Sequence, residues 1–200
     1  MMATTHGLAG LLVGALVLAV APELAPVAML AGLAGGVFPD LDLYAEHRKT
    51  LHFPVYYTLA ALVALGAALA VPTPPTVAAA VFLLAAALHS VTDMFGGGLE
   101  LRPWEGTSER AVYSHYHGRW LRPRRWVGYD GAPGDLALAS ALAIPALVFV
   151  DWQMVDPLVT VAVGVSGVYT LVRKRLADVA EDAAAFVPAP IRHYVPDRYL

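Results

Sequence analysis

The sequence predicts an all-α fold, a multispan helical membrane bundle of five or six hydrophobic helices. Hydrophobic residues make up 58% of the 200 residues and charged residues only 14%, against about 25% charged residues in an average soluble chain. Six apolar stretches follow one another, at 7–21, 27–38, 53–71, 76–92, 134–150 and 157–172. Because each stretch is apolar all around, it is typical of a helix that is buried or faces lipid.

Proline-containing polar segments separate some of these stretches and predict turns, at 21–26, 71–75 and 151–157. A full crossing of a bilayer needs about 20 apolar residues, and the third to sixth stretches approach that length. The first two are shorter, which predicts a helical hairpin that either crosses a thinned bilayer or dips in and returns. No basic segment precedes the first stretch and Pro22 follows its Ala-Val-Ala end, so we interpret it as a retained helix and not a signal peptide.

The length of the chain fits one domain. We expect residues 1–175 to form a single membrane-embedded helical domain. Within it, the segment 94–133, which is rich in glycine, arginine and aromatic residues, is predicted to be a large cytoplasmic loop. Residues 176–200 are predicted to form a cytoplasmic tail that begins as a helix.

All thirteen basic residues fall in three segments: between stretches two and three, between stretches four and five, and after stretch six. If every stretch reverses the direction of the chain, these three segments lie on one side of the membrane. The positive-inside rule then places them in the cytoplasm, together with both termini. The sequence therefore predicts a multi-pass protein of the cell membrane.

Under this topology, ionisable residues from separate parts of the chain gather at the cytoplasmic ends of the first four stretches. They are His6, Asp40, Asp42, His52, His89 and Asp93. Because the chain has no cysteine, histidine and carboxylate are the strong metal ligands available. The four-residue spacing of His89 and Asp93 places both on one helix face. The cluster predicts a site for a divalent metal ion, zinc or manganese, and two ions if all six residues take part.

Most of these residues also have a structural interpretation. Asp40 or Asp42 could serve as a cap or loop carboxylate, His6 as a cap of the first helix, and His89 with Asp93 as a hydrogen-bonded pair. The structural interpretation explains poorly why all of them occur at one membrane face. Ionisable groups at membrane depth are costly and suggest a function.

The order of these motifs resembles that of the LexA-regulated inner-membrane metal-dependent hydrolases of bacteria and archaea. The matching segments are Thr5-His6-Gly7, Phe38-Pro39-Asp40-Leu41-Asp42, His47-Arg48-Lys49-Thr50-Leu51-His52 and His89-x-x-x-Asp93. The resemblance covers about residues 4–105. It implies a membrane hydrolase with a His/Asp metal centre that acts on a phosphoester or lipid-like substrate. The chain departs from the family pattern at Phe53-Pro54 and directly after Asp93, which leaves the substrate open.

Within such a site, His47 and Arg48 are the predicted catalytic residues. An imidazole ordinarily has a pKa near neutrality, so His47 could act as a general acid or base. The planar guanidinium of Arg48 could hold a phosphate group. Two other functions stay open: a transporter of protons or metal ions, and a scaffold in which a metal ion ties short helices together.

The predicted partners are the lipid bilayer and a lipid-like substrate. The loop segment 108–126 combines arginine with tryptophan, tyrosine and histidine. A functional interpretation makes it a lid over the metal site, and the simpler one places it against anionic lipid head groups. No nucleic-acid partner is expected, because contact with the membrane already explains the basic charge of the loop.

Overall fold

A computed structural model describes residues 1–188 and confirms the all-α class. Within these residues the helices are α1 (Ala3–Ala15), α2 (Ala25–Val37), α3 (Pro54–Ala70), α4 (Pro74–Thr92), α5 (Pro133–Phe149) and α6 (Val155–Ala185). Each helix overlaps one of the six predicted apolar stretches.

Three helical segments are long and apolar enough to cross a membrane, namely Pro22–Leu43, Pro74–Phe95 and Val155–Ala185. Shorter apolar helical segments are Ala3–Ala19, Pro54–Ala70 and Pro133–Phe149. Several leucine and valine side chains on α3 and α6 point outward, with Leu69 77% and Leu171 82% exposed. Apolar surface of this kind marks a face that contacts lipid or another protein.

The first two helices form an antiparallel hairpin in which glycines allow the backbones to touch. A Cβ atom on either Gly10 or Gly32 would overlap the carbonyl oxygen of the other glycine. One turn further along, Gly36 lies against the carbonyl of His6 in the same way. Small residues at helix contacts permit this close approach. As a result, the start of α1 lies directly beside the end of α2.

The helix α1 is central to the bundle, since it contacts α2, α4, α5 and α6. One buried apolar cluster includes Leu8, Met29 and Val159, contributed by α1, α2 and α6. A second, smaller cluster lies between α2, α3 and α4. The packing brings the beginning of α1 and the ends of α2 and α4 to one end of the bundle.

The segment 94–133 contains a structure that the sequence analysis did not predict. Strands β1 (Val112–Ser114) and β2 (Arg119–Leu121) pair antiparallel, with Tyr113 opposite Trp120. Three-residue strands carry too little alternation of polar and apolar residues to be recognised from sequence. At the other end of the chain, α6 runs without a break across the predicted boundary at 175/176, and residues 189–200 of the predicted tail lie outside the described residues.

Candidate metal centre

The predicted ionisable residues meet where four chain segments come together. His6 lies in the first turns of α1, and His89 and Asp93 lie at the end of α4. A 3₁₀ segment, Phe38–Tyr44, continues α2 and carries Asp40 and Asp42. The short loop before α3 adds the sixth predicted residue, His52.

Four ligand atoms converge on one point, and they come from Asp40, His52, His89 and Asp93. The two histidine Nε2 atoms lie 3.2 Å apart. Asp93 Oδ2 lies 3.4 Å from the Nε2 of His52 and 3.6 Å from that of His89. Asp40 Oδ1 lies 3.9 Å and 3.4 Å from the same two atoms. We call these four residues the quartet.

These distances are close to the edges of a metal coordination tetrahedron. Ligand atoms about 2.0–2.1 Å from a zinc ion, arranged as a regular tetrahedron, are about 3.3–3.4 Å from one another. The five distances given above are 3.2–3.9 Å. The quartet could therefore hold a metal ion, with each residue offering one ligand atom.

Hydrogen bonds at the far ring nitrogens orient both imidazoles. His89 Nδ1 donates to the carbonyl oxygen of Gly36 at 2.6 Å, and His52 Nδ1 donates to Asp42 Oδ2 at 2.9 Å. A neutral imidazole with its proton on Nδ1 carries a lone pair on Nε2. With a metal ion bound, both rings would take this form and both Nε2 lone pairs would point at the ion, beside two carboxylate oxygens. Metal-ligating histidines are commonly held in this way.

Asp93 connects the quartet to His6. Its Oδ2 atom is buried and makes no hydrogen bond within the described part of the chain. Its Oδ1 atom accepts hydrogen bonds from the ammonium group of Met1 at 2.8 Å and from His6 Nε2 at 3.0 Å. The His6 ring also stacks on the His89 ring, with 3.7 Å between the ring centres. His6 therefore lies beside the quartet and contacts two of its members.

Arg48, a predicted catalytic residue, is buried next to Asp93 in an unusual backbone conformation. Its φ of 59° is in the left-handed region, which non-glycine residues seldom adopt. The Arg48 carbonyl accepts a hydrogen bond from the Tyr113 backbone N–H at 2.9 Å, so the β-hairpin braces this strained residue. Its guanidinium donates to the Gly97 carbonyl at 2.8 Å, and its Nε lies 3.2 Å from Asp93 Oδ2.

The charge state of Arg48 follows from its neighbours. Burial alone would lower the pKa of the guanidinium, but the negative charges of Asp93 and of other nearby aspartates together outweigh burial and raise the pKa above its ordinary value. Arg48 is therefore a fixed cation beside the quartet. Residues held in strained backbone conformations cluster at functional sites, and the conformation of Arg48 fits that pattern.

A cavity of about 460 Å³ adjoins the quartet. His47, Arg48 and Asp40 line one part of it, and apolar side chains of α6 such as Leu176 line another. Small-molecule sites commonly have volumes of about 300–1,000 Å³ with mostly apolar walls and a few polar groups. The cavity can therefore admit a small molecule to the Asp40 side of the quartet.

The cavity is also lined by an ion pair that the sequence does not predict. Arg173 Nε of α6 lies 2.9 Å from Asp130 Oδ2, and the Tyr169 hydroxyl donates to the same oxygen at 2.7 Å. Burial alone would raise the pKa of Asp130, but the charge of Arg173 and the hydrogen bonds from Arg173 and Tyr169 together outweigh burial and lower the pKa. In the sequence, Arg173 is a basic residue at the end of the sixth apolar stretch, a signal that indicates membrane topology and not an ion pair.

Comparison of the chain with models of protein families, with curated proteins and with solved structures finds no match. The functional conclusion therefore rests on the geometry of the quartet and its surroundings.

Proposed function

We propose that the protein is a membrane-embedded, metal-dependent hydrolase that acts on a phosphoester or lipid-like substrate. The observation that carries the proposal is that four ligand atoms lie within 4.8 Å of one another beside a cavity lined by His47 and Arg48. The proposal agrees with the family that the sequence resembles. Imidazole and carboxylate ligands suit zinc or manganese.

The quartet would hold the metal ion, which when bound would polarise a phosphoryl or carbonyl oxygen and lower the pKa of a bound water. His47 lines the cavity and is the group that would accept or donate the proton. Arg48 is cationic, lines the same cavity and would bind an anionic substrate group. The apolar wall from α6 would contact the non-reacting part of the substrate and exclude water.

A structural metal site is the second candidate function, and one observation favours it. The quartet supplies four protein ligands, and four-coordinate zinc sites without an open position are typically structural. In that case the metal ion would tie the 3₁₀ segment, the loop before α3 and the end of α4 together. The transporter alternative lacks comparable support, because the quartet lies at one end of the helices and not along them.

Elemental analysis of the detergent-purified protein tests the metal site. We expect a stoichiometric divalent ion in the wild type and its loss in His52→Ala/Asp93→Asn. A His47→Gln variant should retain the ion and lose hydrolysis of a chromogenic phosphoester or a phospholipid. An ion that is present and raises the unfolding temperature without any hydrolysis would support the structural role. If the wild type holds no metal ion, even after reconstitution, both the hydrolase and the structural metal site are ruled out.

We also propose that the protein lies in the cell membrane with both termini in the cytoplasm. Because the chain has no cysteine, single cysteines can report sidedness. Tyr116 in the β-hairpin is 64% exposed and Val71 between α3 and α4 is 58% exposed. A membrane-impermeant maleimide should label Val71→Cys in intact cells and Tyr116→Cys only after permeabilisation. The reverse pattern, or labelling of both in intact cells, would contradict this topology.

A further inference from the structure

We propose that Asp42 is a positioning residue that orients two histidines at once, His52 toward the metal ion and His47 for proton transfer. This inference rests on the proposed function, because it concerns the same site. It assigns Asp42 a different role from the metal ligand that the sequence predicts.

The hydrogen bonds of Asp42 carry the proposal. The residue is 2% exposed. Oδ1 accepts from His47 Nδ1 at 2.8 Å and from the backbone N–H of Arg48 at 3.3 Å. Oδ2 accepts from His52 Nδ1 at 2.9 Å and from the backbone N–H of Leu51 at 3.2 Å. Each oxygen thus has two donors, which uses the ordinary acceptor capacity of the carboxylate.

A carboxylate that only accepts hydrogen bonds requires a proton on the facing nitrogen of each imidazole. With Nδ1 protonated, the neutral ring presents an unprotonated Nε2. For His52, Nε2 is the atom that faces the quartet, 3.2 Å from His89 Nε2. For His47, which lines the adjoining cavity, Nε2 is then the unprotonated ring atom.

One buried anion therefore links a metal ligand to the proposed general base. Carboxylates that accept a hydrogen bond from the far nitrogen of a metal-ligating histidine fix its tautomer and increase its basicity. Asp42 would do this for His52 and, through its other oxygen, hold His47 in the matching tautomer. The two backbone hydrogen bonds fix the carboxylate relative to the loop that carries both histidines.

The test compares Asp42→Asn with Asp40→Asn, which makes the same chemical change two residues away in the same 3₁₀ segment. The full chain in detergent micelles is titrated with Co²⁺, whose visible spectrum reports its ligands, and with Zn²⁺ against a chelator. In parallel, ¹⁵N NMR of labelled histidines gives the imidazole tautomers without metal, at about pH 8.5, well above the ordinary histidine pKa of about 6.5.

We expect Asp42→Asn to keep the wild-type Co²⁺ spectrum while its affinity for Zn²⁺ falls by about 10–100-fold. Asp40→Asn should change the Co²⁺ spectrum or abolish binding. In the wild type, His47 and His52 should both carry the proton on Nδ1. In Asp42→Asn one of them should switch to Nε2, because the amide offers only one acceptor oxygen.

A Co²⁺ spectrum altered in Asp42→Asn as it is in Asp40→Asn would make Asp42 a ligand and overturn the proposal. Unchanged tautomers in Asp42→Asn would overturn it as well. If Asp42→Asn fails to fold, the tautomers of the wild type test the proposal. A neutral His47 or His52 ring with its proton on Nε2 would contradict the role of Asp42. If the wild type binds no metal ion, the proposed hydrolase function is wrong. The histidine tautomers of the wild type would still test whether Asp42 orients the two histidines.

Discussion

The contact between Gly36 and His6 leads to the prediction that close packing of α1 and α2 is needed for metal binding at the quartet. A Cβ atom at Gly36 would lie 2.9 Å from the carbonyl carbon of His6 and closer still to its oxygen. Non-bonded carbon atoms pack at about 3.5–4.0 Å. In Gly36→Ala, α1 and α2 must therefore separate by about 1 Å, which we expect to destabilise the fold by about 1–3 kcal/mol.

The same separation should weaken metal binding. The Gly36 carbonyl holds His89 Nδ1, and the 3₁₀ segment with Asp40 continues directly from α2. Metal–ligand distances in a competent site vary by only about 0.2 Å, so a shift of about 1 Å should lower the affinity strongly. The measurements are the Zn²⁺ affinity by chelator competition and the unfolding temperature in detergent.

Gly66→Ala is the matched control. It makes the same change within α3, where no heavy atom of the described chain lies within 4 Å of the added Cβ. It should leave Zn²⁺ affinity unchanged and leave stability equal or higher by up to about 1 kcal/mol, because alanine favours the helix more than glycine. If Gly36→Ala binds Zn²⁺ and unfolds like the wild type, the backbone contact does not hold the site in place.

Three further predictions concern the surroundings of the quartet. Asp93→Asn should lower stability by about 3–5 kcal/mol because it leaves the buried Arg48 cation without its partner, and adding Arg48→Met should restore part of that loss in thermal unfolding. Arg173 helps to lower the pKa of Asp130. Ionised Asp130 therefore stabilises the fold above its unfolded pKa of about 3.9. This contribution to stability disappears as the pH falls through the lower pKa of the folded state. Asp130→Asn should thus lose less stability than the wild type on acidification, and equal losses would contradict the ion pair. His115→Phe removes the hydrogen bond to the Lys49 carbonyl and should cost about 1 kcal/mol. An unchanged unfolding temperature would show that this hydrogen bond does not stabilise the loop before α3.

The sequence predicts the helices and the location of the site better than it predicts the site's internal arrangement. Long apolar stretches separated by turns leave few alternatives to six helices, and polar residues at their ends must meet if the helices pack side by side. Which of the six residues share one ion depends on side-chain directions. In the 3₁₀ segment, with three residues per turn, Asp40 and Asp42 point about 120° apart. Accordingly Asp40 faces the other three quartet residues, while Asp42 faces the far nitrogen of His52.

The ion pair between Asp130 and Arg173 could not be predicted for a different reason. Its partners lie 43 residues apart, one in an irregular segment and one on a helix, and no periodicity relates them. Their contact depends on how the 94–133 segment folds back onto α6. That path depends on local features such as the β-hairpin and on glycines with positive φ, including Gly128 and Gly131.

Whether the proposed metal centre would be catalytic or structural depends most directly on Asp40. The side chains of His52, His89 and Asp93 are 0–1% exposed, whereas that of Asp40 is 14% exposed and lines the cavity. Asp40 is therefore the ligand that water or a substrate oxygen could displace. A hydrolase requires such an exchangeable position next to His47 and Arg48, while a structural site requires Asp40 to stay bound. Asp40→Ala separates the two, since a catalytic site of three remaining protein ligands would still bind Zn²⁺ and a site that needs all four would lose the ion together with its stabilising effect.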